Sequence, residues 1–291
     1  LKSSRIGFVT SQLRAVIPFL HTMFLIIASI SPLLSRGLKH EAPASANEKQ
    51  RTLPLQAGSV TERKLLGGEF HDYLLTMSRD ELLYACVDQL GIDVVLTLYS
   101  PVRSRLLSIN RYARGRGTEQ IWWVAETTGA YRLQVRSRER DGVGSYRLRV
   151  APLREATEDD RSHATAQRFF AEAWRLREQG TPKALREATG KLETVLAYWR
   201  AKGNQREQAN LLNILGGVHY RLNHGRQALD FYEHSLPLWN GLNDQIGEAW
   251  TLNDIGDIYF ERGERQKALE HFKRALQLYQ SIGLPREQAV A

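Results

Sequence analysis

Leu212-Asn213-Ile214-Leu215-Gly216 returns 40 residues later as Leu252-Asn253-Asp254-Ile255-Gly256, and this echo decides the architecture of the second half of the chain. The same step relates Ala188, Ala228 and Ala268, then Leu196, Leu236 and Leu276, then Trp199, Trp239 and Tyr279, then Ala209, Ala249 and Ala289. Self-similarity at a fixed period of this length marks a stack of helical units, each too small to bury its apolar face alone. Within a unit, apolar residues recur at helical spacing over two segments, with breaks near Gly180, Asn223 to Gly225 and Gly263. Gly216 and Gly256 let the first helix of a pair approach the second, and Ala228 and Ala268 do the same from the opposite side. Tyr232, Phe272, Leu236 and Leu276 are expected to fill the space between units, each contributing about 1.5–3 kcal/mol on burial. The helical part is placed at 157–291, as about three units, the first less regular around Thr181-Pro182 and the last incomplete.

Upstream the period changes to two. Phe70 to Met77, Leu82 to Gln89, Val94 to Ser100, Gln120 to Ala125, Tyr131 to Arg136 and Tyr146 to Val150 are short runs rich in β-branched and aromatic residues. Gly67-Gly68, Ser78-Arg79-Asp80, Gly91-Ile92-Asp93 and Asp141-Gly142 supply the turns. Such strands, with no helix-period sequence between them, predict an antiparallel sandwich over 52–153. Gly129-Ala130-Tyr131-Arg132-Leu133 and Gly144-Ser145-Tyr146-Arg147-Leu148 echo one another, with Tyr and Leu on one face and Arg on the other.

The first 36 residues read differently again. Ala15 to Leu34 carries no formal charge, follows Lys2, Arg5 and Arg14, and precedes the first acid, Glu41. A basic lead before an apolar run is the form of a secretory signal or a membrane anchor. Pro18, His21, Ser29, Ser31 and Pro32 dilute the run, and Ala44-Ser45-Ala46 offers small residues for cleavage. Both readings, cleaved signal and retained tether through residues 15–34, place the rest of the chain outside the cytoplasm. Residues 37–51 are small, polar and aperiodic, and read as a linker.

Composition narrows the function. The net charge is +8, and residues 101–150 hold eleven arginines against four acids. Those arginines are spread through strand-like sequence, and no zinc-finger spacing, basic zipper or RNA-reading motif accompanies them, so no specific nucleic acid is expected. The single cysteine, Cys86, lies in an apolar run and is assigned to packing. Asp88 and Asp93 lack the oxygen cluster a calcium site needs and are read as strand-end and turn residues. The histidines show no metal spacing, and there is no phosphate loop, nucleophile elbow or carboxylate pair; no metal, cofactor or catalytic residue is assigned.

Three resemblances add to this reading. The run from Val87 to Pro101, with the Gly129-Ala130-Tyr131 turn, resembles bacterial pre-peptidase C-terminal-like domains, extracytoplasmic β-sandwich modules; Val102-Arg103 stands where those have an Asp-Gly turn. The small and aromatic positions of the helical repeat resemble tetratricopeptide repeats, in an extended form similar to kinesin light chain. The order of export segment, sandwich and repeats resembles the N-terminal part of bacterial CHAT-domain proteins, in which a caspase-like peptidase follows.

The repeat resemblance implies a protein or peptide partner on the concave face lined by the first helix of each pair. Its register places Asn210, Asn213, Gly217, Tyr220 and Arg221 there from one unit, and Trp250, Asn253, Asp257, Phe260 and Glu261 from the next. Asn213 and Asn253 stand out, because an amide both donates and accepts and asparagine has little reason to recur inside a helix. A hydrogen bond between helices explains them equally well. Trp250 and Phe260 are assigned to packing before ligand contact. The resulting expectation is a non-catalytic extracytoplasmic scaffold. Its alternative is the regulatory front of a CHAT peptidase, suggested by Glu287-Gln288-Ala289, which would begin a further helix.

Overall fold

The computed structural model describes residues 51–110 and 116–283. The apolar segment 15–34, residues 37–50 of the linker and the run from Glu287 to Ala289 lie outside the described residues. Among the described residues no helix is long and apolar enough to cross a membrane.

The β region contains β1 (Arg51–Pro54), β2 (Val60–Leu66), β3 (Phe70–Met77), β4 (Glu81–Leu90), β5 (Val94–Tyr99), β6 (Arg105–Ile109), β7 (Arg116–Val124), β8 (Gly129–Ser137), β9 (Val143–Val150) and β10 (Arg154–Glu155). One sheet runs in the order β1-β3-β8-β5-β6; the other runs β10-β4-β9-β2, with β7 on the far edge of β4. The pairing is antiparallel except at one edge, where β1 runs parallel to β3 with Leu53 opposite Tyr73. That corrects the wholly antiparallel expectation: β1 enters from upstream and its four residues need no hairpin. β2 escapes a hydropathy reading because Leu65 is its only buried residue, and charged side chains occupy much of the rest.

Tyr73, Leu75 and Met77, with Leu96, Leu98, Leu133 and Val135, face Leu83, Ala85, Val87, Ile121, Tyr146 and Leu148 across a dry core. Tyr131 and Leu133, like Tyr146 and Leu148, are buried with an arginine outside, as the alternation predicts. Cys86 packs as a buried strand residue. The arginines are matched locally: Arg132 to Asp72, Arg147 to Glu62 and Arg149 to Asp88, each at 2.9 Å. Asp93 meets Arg138 at 3.6 Å, so both aspartates considered for calcium hold arginines.

Six helices follow: α1 (Glu158–Gln179), α2 (Pro182–Ala201), α3 (Gln205–Arg221), α4 (Gly225–Gly241), α5 (Gln245–Glu261) and α6 (Arg265–Ser281). Thr157, Thr181, Asn204 and Asp244 each cap a helix through a side-chain oxygen that accepts a backbone N–H. Chain reversals use left-handed residues at Gly180, Gly203, Asn223, Asn243 and Gly263. A Cβ on Gly216 would lie 2.7 Å from the Tyr232 ring and one on Gly256 2.5 Å from Phe272, so the close approach of paired helices depends on both glycines. Tyr232 is buried, whereas Leu276, expected between units, is 40% exposed on the last described helix.

The sandwich and the helices are joined by more than the chain. Arg154 of β10 donates to both carboxylate oxygens of Asp160 in α1, at 2.6 and 2.9 Å. Asp160 also accepts from the backbone N–H of Thr157, closing a capping box, and Arg154 holds its carboxyl well below the usual range. Gln167 accepts the Trp122 N–H at 2.8 Å and donates to the Gln120 carbonyl at 2.7 Å, standing in for a neighbouring strand beside β7. Arg161 reaches Asp80 and Arg168 reaches Glu126. His163 packs among Trp122, Tyr198 and Trp199, with ring centroids 4.5, 5.8 and 5.3 Å away.

Candidate functional site

The first helices of the pairs, α1, α3 and α5, are bridged by side chains. Arg221 of α3 donates to the Arg177 carbonyl in the last turn of α1 at 2.8 Å, a cation set on the negative end of a helix. Asn213 of α3 donates through Nδ2 to the Thr251 hydroxyl of α5 at 2.7 Å, and the Tyr220 hydroxyl donates to Glu261. These bridges set α1, α3 and α5 side by side, and the residues named from the repeat register sit on α3 and α5.

Asn213 shows how the two explanations of its recurrence combine. Thr251 donates its own proton to the Gly247 carbonyl at 2.8 Å, so toward Asn213 it can only accept. That fixes the amide orientation and leaves Asn213 Oδ1 buried without a hydrogen-bond partner. One end of the amide therefore ties two helices together, and the other is an unsatisfied acceptor. Asn253 occupies the equivalent position on α5 and is half-buried.

Asn210, Arg221, Asp257 and Glu261 are exposed, and Gly217 and Tyr220 are half-buried. A Cβ on Gly217 would meet only the Tyr232 hydroxyl, at 3.5 Å, an ordinary contact distance. The packing assigned to Trp250 and Phe260 is not found: they are 58% and 62% exposed. Phe260 lies on the side of α5 opposite Thr251, which faces α3, and Trp250 lies about 100° around the helix from Thr251; both reach solvent.

Three residues that the sequence reading did not name, Thr251, Asp254 and Arg177, complete the site. Asp254 is half-buried near the Tyr232 hydroxyl; burial pushes its carboxyl up to about 6, with the Asp257 charge adding to the rise. Asp257 is raised as well, by burial and then by Glu261. Arg177, opposite, lies 4.7 Å over the Trp174 ring, has a buried Nε without a partner, and is held below its ordinary value by burial and by Arg221. A signal for two of the missed residues exists in the repeat itself. Asp254 stands where the preceding unit has Ile214, and Thr251 stands where it has Leu211. Among the described residues no group of three His, Cys, Asp or Glu side chains is placed to hold a metal.

The side-by-side helices thus carry arginines where α1 meets α3 and carboxylates along α5, with the Tyr220 hydroxyl between α3 and α5. Chemically they offer hydrogen-bonding amides, fixed charges and exposed aromatic rings.

Residues 207–281 match the family model for the tetratricopeptide repeat. No curated protein sequence matches the chain. Among solved structures, the tetratricopeptide domain of Arabidopsis FLU is similar over 41% of this chain and 98% of that one, at 15% identity and a TM-score of 0.38. The apo form of RapI is similar over 44% of each chain, at 19% identity and a TM-score of 0.39. The pre-peptidase C-terminal domain of Bacillus anthracis collagenase is similar over 36% of this chain and 98% of that one, at 16% identity and a TM-score of 0.29. Such repeats are in general protein-interaction modules and typically non-catalytic. Residues 207–281 are a tetratricopeptide-repeat domain, preceded by a β-rich region.

Proposed function

We propose that this chain is a non-catalytic scaffold that binds an extended peptide segment of a protein partner along the inner face of α1, α3 and α5. The observation that carries the reading is the set of exposed polar side chains on α3 and α5, where Asn210, Arg221, Asp257 and Glu261 all reach solvent and offer donors and acceptors to a peptide backbone. Asn210, Tyr220, Arg221, Trp250, Asn253, Asp257 and Glu261 line the same face. The sandwich, fixed to α1 by Gln167 and Arg154, orients the groove.

A random peptide library displayed on phage and panned against the full chain tests this. Enriched peptides should lose binding to Gly217→Phe, which adds bulk on this face. They should keep binding to Glu193→Gln, an exposed change on the outer helix α2. Peptides indifferent to Gly217→Phe would place binding elsewhere and end the proposal.

Export belongs to the same proposal and rests on residues 15–34 alone. A fusion of residues 1–51 to a phosphatase that is active only outside the cytoplasm should give phosphatase activity. An inactive fusion present at normal abundance would remove the extracytoplasmic assignment.

A further inference from the structure

The helix pairs α3–α4 and α5–α6 contain the same contact with its members exchanged. In α3–α4 an imidazole of the first helix stacks on a ring of the second, His219 on Phe231, with centroids 5.0 Å apart. In α5–α6 the order is reversed, and Tyr259 of the first helix stacks on His271 of the second at 5.5 Å. Tyr259 stands 40 residues after His219, and His271 stands 40 after Phe231, so one contact of the repeat is built twice.

His71, His163 and His234 each set a ring nitrogen against a hydroxyl or a carbonyl oxygen. His219 does not: both of its ring nitrogens are buried without a hydrogen-bond partner. A neutral imidazole there leaves one N–H unmatched; an imidazolium would leave two and add a charge. The face of Phe231 attracts a cation, but too weakly to replace the lost hydration. Among the described residues the charges acting on His219 are Glu193 of α2, which favours protonation, and His224 at the α3–α4 turn, which opposes it from 5.7 Å. Burial outweighs Glu193 and holds His219 below the ordinary histidine value. Around His271, Glu270 of the same helix and Glu233 of α4 favour the charged ring, while Arg274 opposes it. Tyr259, on α5, carries Lys267 and Arg262 over its ring, at 5.1 and 6.0 Å. Burial and Arg274 prevail, so His271 is held low as well.

We propose that the two imidazole stacks make the helix array acid-labile: protonating His219 and His271 parts the rings and loosens α3 from α4 and α5 from α6. The native state prefers both rings neutral. Their contribution is therefore complete above about pH 6.5, the unfolded value, and is lost as pH falls through the lower folded values. Asp254 acts in the opposite sense, because its carboxyl is raised. The device accordingly shows as a difference between the chain and variants that lack the imidazoles.

The repeat itself supplies those variants: His219→Tyr takes the residue of the following unit, and His271→Phe takes that of the preceding one. Urea unfolding of the full chain and of the double variant, followed by helical circular dichroism, is compared at pH about 7 and about 5. Over this range the folding equilibrium constant of the unchanged chain should fall by about tenfold or more relative to the double variant, with each single variant between them. An equal pH dependence in the chain and the double variant would overturn the proposal. Isotope-edited NMR of the unchanged chain gives a reading that needs no variant to fold. The rings of His219 and His271 should titrate below about pH 6.5, and titration of either at or above that value would overturn the proposal too.

Discussion

At the scale of single residues, Asp254 is the clearest case of sequence and function pulling apart. The preceding unit has Ile214 at this place in the repeat, and an apolar residue would pack there without loss. The carboxylate is instead half-buried against Tyr232, and burial raises its pKa to about 6. A folded-state pKa above the unfolded value means that the native state prefers the protonated form. The array should therefore be most stable below about pH 4 as far as this group is concerned, and lose that contribution as pH rises through about 6. Asp254→Asn keeps an acceptor for Tyr232 without the charge. It should flatten this dependence and raise stability near neutral pH by about 1–2 kcal/mol, read from urea unfolding at a series of pH values. Gly216 gives the opposite sign. A methyl group there meets the Tyr232 ring at 2.7 Å, so Gly216→Ala should cost about 1–3 kcal/mol despite its better helix propensity, whereas Gly217→Ala, whose methyl would make only an ordinary 3.5 Å contact with the Tyr232 hydroxyl, should be neutral or stabilising in the same melts.

Elements were legible to the degree that their residues repeat or alternate. The pairs α3–α4 and α5–α6 were readable because Ala228 and Ala268, Gly216 and Gly256, and the helix-ending Asn223 and Gly263 recur in register. β3 was readable to the residue, from Phe70 to Met77. β2 and β6 were not, since one is a charged strand with a single buried leucine and the other is a five-residue edge. In the groove, the register placed Asn213 and Tyr220, but it could not tell that Trp250 and Phe260 face solvent. An aromatic residue at a helical position reads as core unless the neighbouring helix is known. Pro237 marks a further departure from the repeat, because it lies inside α4 where the next unit has Gln277. Proline there removes one helical hydrogen bond and crowds the preceding turn. Pro237→Gln should raise the thermal midpoint of the array, by an amount corresponding to about 1–3 kcal/mol, since the position is exposed and the repeat already accepts glutamine.

For the whole molecule, the junction between sandwich and array governs behaviour. It consists of directional contacts: the two hydrogen bonds of Gln167, the fork between Arg154 and Asp160, and His163 among three aromatic rings. Gln167→Leu removes both edge contacts with little change in volume, leaving the Trp122 N–H and the Gln120 carbonyl to water. Stability should fall by about 1–2 kcal/mol, and amide exchange at Trp122 should accelerate by at least about tenfold. Unchanged exchange at Trp122 would show that the clamp is not what protects β7. None of this was legible beforehand, because a glutamine on a helix surface carries no sequence sign of the strand it completes.

Gln167 has a practical consequence for dividing the chain. The chemical border between its two halves does not fall at the turn before Glu158, where strand gives way to helix. The outermost strand is finished by a side chain from the helical half, so a β fragment cut at that turn exposes a sticky rim, able to recruit the same rim of another copy. Such a fragment should self-associate as its concentration rises, and one carried through Gln179 should stay single.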